Sequence, residues 1–129
     1  MILLASQSSG RLATLRAAGV EPLVRVSDVD EPAVLRALAA AHPAEPTPAE
    51  QVRALARAKA EDVAAAVTRV ERETDPDLVV VGCDSMLEID GRVVGKPGTP
   101  EAARERWRSM RGRTSWRSEE RRVGKECRS

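Results

Sequence analysis

Phenylalanine and tyrosine are absent from the 129 residues, and only Trp107 and Trp116 supply aromatic rings. The core must therefore be built from Val, Leu and Ala, each of which buries less area than an aromatic side chain. Recognition of single-stranded nucleic acid by stacking bases on aromatic rings is disfavoured for the same reason. Histidine occurs once, at His42, and cysteine twice, at Cys83 and Cys127. Neither type recurs at a metal-ligand spacing, and there is no cysteine–histidine pair to form a nucleophile. No apolar run reaches the roughly 18 residues that suggest a membrane span. The opening MILLASQSSGR lacks the basic and long apolar regions of a secretory signal, so no membrane partner and a cytoplasmic location are expected.

What is present reads as an ordinary water-soluble chain, 42% hydrophobic and 32% charged, with a net charge of +1. Its length fits one modest domain. Ile2 to Ala5 is a short apolar run suited to a buried strand. The polar turn Ser6–Gly10 follows, and Arg11 to Ala18 reads as a helix closed by Gly19, with Leu12 and Leu15 on its inner face. Val24 to Val26 predicts a strand leading into SDVDEP, and Pro32 sits in the first turn of a helix ending near Ala41, with Asp30 or Glu31 at its cap. His42 falls at that helix end, where a solvated terminus suits it better than a catalytic role.

Thr47-Pro48-Ala49-Glu50 has the form of a capping box and predicts a long helix from Pro48 to about Glu73. Its inner stripe is expected to be Val52, Ala56, Val63, Val67 and Val70, with Lys59 on the same face. A lysine there either snorkels outward or lines a cleft. Leu78 to Gly82 is a near-continuous apolar strand, and Asp90-Gly91 between alternating runs signals a hairpin over Met86–Val94. Thr99 and Pro100 open a last helix whose inner stripe is expected to be Ala103, Trp107 and Met110. Strands interleaved with helices make this an α/β chain.

The final RSEERRVGKECRS, residues 117–129, has no apolar periodicity. It reads either as a solvated charged terminus or as foreign sequence. It resembles one reading frame of a common sequencing adapter, which begins Arg-Ser-Glu-Glu-Arg. The expectation is therefore a domain over 1–116 and a non-native tail over 117–129. The tail holds five of the 21 Lys+Arg and three of the 20 Asp+Glu, so without it the chain is slightly acidic and no basic patch for nucleic acid remains.

Asp84 at the end of a buried valine run is costly unless its charge is used. In open α/β sheets ligands bind beyond the carboxyl ends of the strands, and Lys96 returns toward the same edge after the hairpin. Ser6, Ser8 and Arg11 stand at a strand–turn–helix junction, where free backbone N–H groups favour anions. An acid pair, Asp30 and Glu31, and two lysines, Lys59 and Lys96, complete the set. Cationic groups suit polyphosphate oxygens, and carboxylates suit a hard divalent ion bridging them. Metal-assisted attack of water on a phosphate anhydride is the chemistry this favours. The alternative is a strand-end Asp bonded to loop amides and a solvated Lys96.

The segments LASQSSGR (4–11), DVDE (28–31), LARAKA (55–60), VVGCDS (80–85), GRVVGKP (91–97) and AARERWRSMRGRT (102–114) resemble, in this order, the Maf family of nucleoside triphosphate pyrophosphatases, also called septum formation inhibitor proteins. The resemblance implies a mixed sheet flanked by helices, similar to inosine triphosphatases, with an incomplete second lobe. It implies hydrolysis of modified nucleoside triphosphates to monophosphate and pyrophosphate with Mg²⁺ or Mn²⁺. Asp84 would then activate water and, with Glu31, hold the metal, while Ser6, Ser8, Arg11, Lys59, Ser85 and Lys96 would bind substrate. A homodimer stays open. So do two other readings, an inactive fragment that at most binds nucleotide and a division-related regulatory module. Ser9 and Gly10 depart from the family's usual Pro-x before the arginine, which leaves the preferred base undetermined.

Overall fold

Val79–Ile89 forms one uninterrupted strand, β3, to which three of the other four strands among the described residues pair directly. The computed structural model describes residues 1–124. β1 (Ile2–Ala5) pairs parallel with β3, from Ile2 opposite Val79 to Ala5 opposite Gly82. β2 (Leu23–Val24) lies parallel on the outer side of β1. β4 (Arg92–Val94) folds back antiparallel on Leu87–Ile89. β5 (Ser115–Gly124) runs antiparallel along Val80–Ile89. The result is the expected mixed α/β sheet.

Because β5 occupies one edge of β3, β1 and β4 must share the other. Pairing with β1 ends at Gly82 and pairing with β4 begins at Leu87, so residues 83–86 have no strand partner on that edge among the described residues. Asp84 sits in this gap. The expected strand end at Gly82 is therefore corrected. β3 continues through Cys83-Asp84-Ser85 because its second half finds antiparallel partners, and what ends at Gly82 is the parallel pairing. The hairpin turn is as expected: Asp90 and Gly91 have φ of 50° and 76°, the left-handed pair that matches strand twist.

Side chains alternate across β3. Val80, Gly82 and Asp84 are buried and share one face, which is covered by α3 (Pro48–Ala65). Leu3, Ala5, Val63, Val67 and Val80 form the core between sheet and helix. On α3, Val52, Leu55, Ala56 and Val63 are buried; burial of each large one stabilises the fold by about 1.5–3 kcal/mol. The approach is closest at Gly82, where an added Cβ would lie 2.3 Å from the Ala56 carbonyl oxygen.

Three expectations about these elements are corrected. The long helix does not reach Glu73: α3 ends at Ala65, and α4 (Arg69–Thr74) starts afresh from Thr68. A second capping box, Thr68 with Glu71, lets the chain turn there, and Val70 is left 69% exposed, off the core stripe. Trp107 of α5 (Pro100–Ser109) is 72% exposed, while Ala103 and Met110 are half-buried, so the tryptophan lies off the inner stripe. The expected strand Val24–Val26 is displaced to Leu23–Val24, the residues opposite Leu3 and Leu4. α1 (Ser9–Ala17) and α2 (Glu31–Ala41) start at the caps Ser8 and Asp30.

Residues 117–124 of the expected tail are paired to β3, where a solvated terminus had been one reading. Backbone N–H and C=O groups of an open sheet edge accept any extended segment, whatever its side chains. Lys125, Glu126, Cys127 and Arg128 lie outside the described residues.

Glu71 ties α4 to the sheet. Arg25 donates to its carboxylate at 2.6 Å and the Thr68 N–H at 2.7 Å, and these bonds hold its pKa down at about 2. A depressed carboxylate contributes stability above its unfolded value of 4.5, and that contribution fades as pH falls toward 2. We expect Glu71→Gln to flatten the loss of melting temperature across this window. Parallel pH profiles for variant and wild type would contradict it.

Candidate active site

The turn after β1 is built around two serine oxygens. Ser6, only 8% exposed, accepts from the Ser8 N–H at 3.2 Å and from Arg11 Nη1 at 2.9 Å. Ser8 caps α1 by accepting from the Arg11 N–H at 3.3 Å. Ser9 is the first residue of that helix, a position where proline is also at home. Arg11 Nη2 lies 3.4 Å from Ser85 Oγ, so the guanidinium joins the turn to β3 through the residue beside Asp84.

Lysine and acids meet on the other face of β3. Asp84 points toward α3 because it shares a face with Gly82, and Lys59 rises from α3 to meet it. Lys59 Nζ donates to Asp84 Oδ1 at 2.7 Å and lies 2.8 Å from Glu31 Oε1. Asp30 takes the cap of α2, accepting from the Ala33 N–H at 3.0 Å, which leaves Glu31 free to reach inward. The Asp28 N–H donates to Asp62 at 2.9 Å and so anchors this acidic loop to α3. The lysine is well shielded, with its side chain 14% exposed, as is Asp84 at 11%. Burial pulls the ammonium's pKa down, but the hydrogen bonds to Asp84 and Glu31 outweigh it, and the group stays charged above its ordinary range. Of the two sequence readings for Lys59, this geometry selects the cleft.

One cleft of about 680 Å³ collects Ser6, Ser8, Arg11, Glu31, Lys59 and Lys96. Its walls are mostly polar. Lys96 is exposed at the rim, carried there by the strand-to-helix connection after β4. Asp84 and Ser85 do not line this cleft; they lie behind Lys59 and Arg11 respectively. Gln7 and Ser27 also line it. Ser27 was not singled out by sequence, although it stands three residues before the Asp30 cap on the same acidic loop. His42 is the exposed C-cap of α2, with Nδ1 3.0 Å from the Leu38 carbonyl and Nε2 3.5 Å from Glu50, away from the cleft.

Glu31 Oε1 and Asp84 Oδ1 converge on a single point, now filled by the Lys59 ammonium. Two hard carboxylate oxygens closing on a cation suit Mg²⁺ or Mn²⁺ better than a soft metal. Among the described residues no group of three or more His, Cys, Asp or Glu could enclose a metal, so further ligands would have to be water or substrate oxygens. No helix among those residues is long and apolar enough to cross a membrane.

Comparison with known proteins identifies relatives along most of the chain. A family model described as Maf-like protein matches residues 1–117. A nucleoside triphosphate pyrophosphatase of Saccharopolyspora erythraea is 58% identical over 112 residues, covering 86% of this chain and 49% of that protein. Proteins of the same name from Mycobacterium sp. (strain JLS) and Nocardia farcinica are each 55% identical, covering 88% of this chain and 50% of their own length. The chain spans about half the length of the curated relatives it matches. With a family match running through the cleft, the sheet and both lysines, the chain belongs to the Maf-like protein family.

Proposed function

We propose that this chain carries the phosphate-binding and water-activating half of a nucleoside triphosphate pyrophosphatase. The observation that carries the proposal is the Glu31–Lys59–Asp84 cluster at 2.8 and 2.7 Å, opening on the cleft that holds Ser6, Ser8 and Arg11. The names of the relatives support the substrate class. Arg11, Lys59 and Lys96 hold phosphate oxygens, and the Ser6 and Ser8 hydroxyls orient them. Asp84 takes a proton from water as its oxygen bonds to phosphorus. The P–O bond of the α–β bridge breaks, and pyrophosphate leaves with its charge held by the same cations. A divalent ion held by Glu31 and Asp84 would supply charge neutralisation at the bridging phosphates.

Purified protein given a nucleoside triphosphate and Mg²⁺ or Mn²⁺ should release pyrophosphate and the monophosphate in equal amounts. Release of inorganic phosphate with the diphosphate would overturn the proposal.

A second reading has its own observation. Leu23 and Val24 are each about half exposed, and Val79, Val81 and Cys83 are only partly covered on the sheet face away from α3. A chain of half the relatives' length with a partly open sheet can bind triphosphate without turnover. Saturable binding of a non-hydrolysable analogue with no pyrophosphate released would identify that case. We also assign residues 117–129 no part in the site. Among the described residues none beyond Lys96 lines the cleft, and the segment resembles a sequencing adapter. A genomic locus that encodes it contiguously would refute the assignment of foreign origin.

A further inference from the structure

We propose that Lys59 is a built-in counter-ion that fills the divalent-cation seat in the free protein, so that the metal enters only together with the triphosphate. This rests on the proposed function and adds an order of binding to it. The seat is formed by one oxygen from α2 and one from β3, both within 2.8 Å of the same ammonium. An ammonium and a dication cannot share that seat, because the like charges would lie a few ångströms apart where water screens them poorly.

The lysine cannot simply be pushed out. Its side chain is only 14% exposed, and a shielded ammonium driven off both carboxylates with no anion to take it up is strongly disfavoured. Nor do other acids, histidines or cysteines among the described residues close in to bind a lone metal. The exchange becomes favourable when a triphosphate enters, because Lys59 already lines the cleft wall beside Ser6, Ser8 and Arg11. Its flexible stem and rotatable donors can move from carboxylate to phosphate. The ammonium moves to the phosphate, and the Glu31 and Asp84 oxygens it leaves would then hold the divalent ion. Glu31, whose side chain is 50% exposed, is the arm with room to adjust. The same exchange takes the lysine off Asp84, which it otherwise holds behind the cleft wall.

Mn²⁺ binding can be followed by electron paramagnetic resonance, with and without a triphosphate whose α–β bridge cannot be cleaved. In wild type we expect Mn²⁺ alone to bind at least tenfold more weakly than in the presence of the analogue. By linkage, Mn²⁺ should raise analogue affinity by the same factor. Lys59→Met should bind Mn²⁺ alone at least tenfold tighter than wild type, with most of the dependence on analogue lost. Equal Mn²⁺ affinity with and without analogue in wild type would overturn the proposal, and that arm needs no variant to fold. Weaker Mn²⁺ binding by folded Lys59→Met, or none in any arm, would overturn it too. Pyrophosphate release is scored separately, so tight binding of lone Mn²⁺ by an active protein defeats the counter-ion and leaves the pyrophosphatase standing.

Discussion

Replacing Asp84 with Asn should lower pyrophosphate release by about 10³-fold, within the ~10²–10⁴ range of a lost general base. The amide keeps the shape of the carboxylate and can still accept from Lys59, so the helix-to-sheet contact survives. What disappears is the ability to take a proton from water, together with one of two negative charges facing the ammonium. Glu31 remains within 2.8 Å of Lys59, so the lysine is not left unpaired and the fold should hold. The experiment pairs a pyrophosphate assay with thermal unfolding of the same preparation. A folded variant with turnover within tenfold of wild type would remove Asp84 from the water-activating role.

Gly82→Val should cost more stability than any surface change in this chain. A Cβ at Gly82 would stand 2.3 Å from the Ala56 carbonyl oxygen, 2.7 Å from the Ala60 nitrogen and 2.8 Å from the Ala60 Cβ. Two of these are backbone atoms, which no rotamer change can move. α3 must shift away from β3 as a body, opening the core around Val63 and Val80. Overpacking of a tight core costs about 1–3 kcal/mol and occasionally more; collision with backbone puts this case at the upper end, ~3 kcal/mol. The displacement also carries Lys59 away from Asp84, so binding of the triphosphate analogue should weaken in parallel. Urea unfolding measures the first effect and analogue titration the second. Gly82→Ala offers a milder variant, and Cys83→Ala, on the opposite face, serves as control. An unchanged urea midpoint for Gly82→Val would mean that α3 does not pack on β3 as described.

Which groups of the cleft could be recognised without coordinates follows from local constraints. Asp30 as a cap and the turn at Asp90-Gly91 are decided within four residues of chain, because the backbone groups they satisfy are neighbours in sequence, whereas the first helix, expected from Arg11, starts two residues earlier at Ser9 behind the Ser8 cap. The burial of Val80 and the inward face of α3 follow from periodicity, which is also local. The missed break at Ala66–Thr68 had a local signal in Thr68 and Glu71, a capping box inside what looked like one continuous helix. Trp107 was misplaced because large apolar residues are expected inward, whereas here the ring is left 72% exposed.

Residue types and their periodic spacing thus determined, by themselves, the α/β class, the capped helices and the grouping of Ser6, Ser8, Arg11, Glu31, Lys59, Asp84 and Lys96 in one candidate set, while the mixed sheet was implied by the family resemblance. Tertiary structure alone decided that Lys59, 25 residues before Asp84 in the chain, closes on it and on Glu31 together. It alone also decided that β3 runs on through the aspartate with its edge left open at residues 83–86. The reason is physical: caps and stripes depend on neighbouring backbone and side-chain groups, whereas a buried charge cluster depends on where a helix docks. Here that docking is set by a glycine with no side chain.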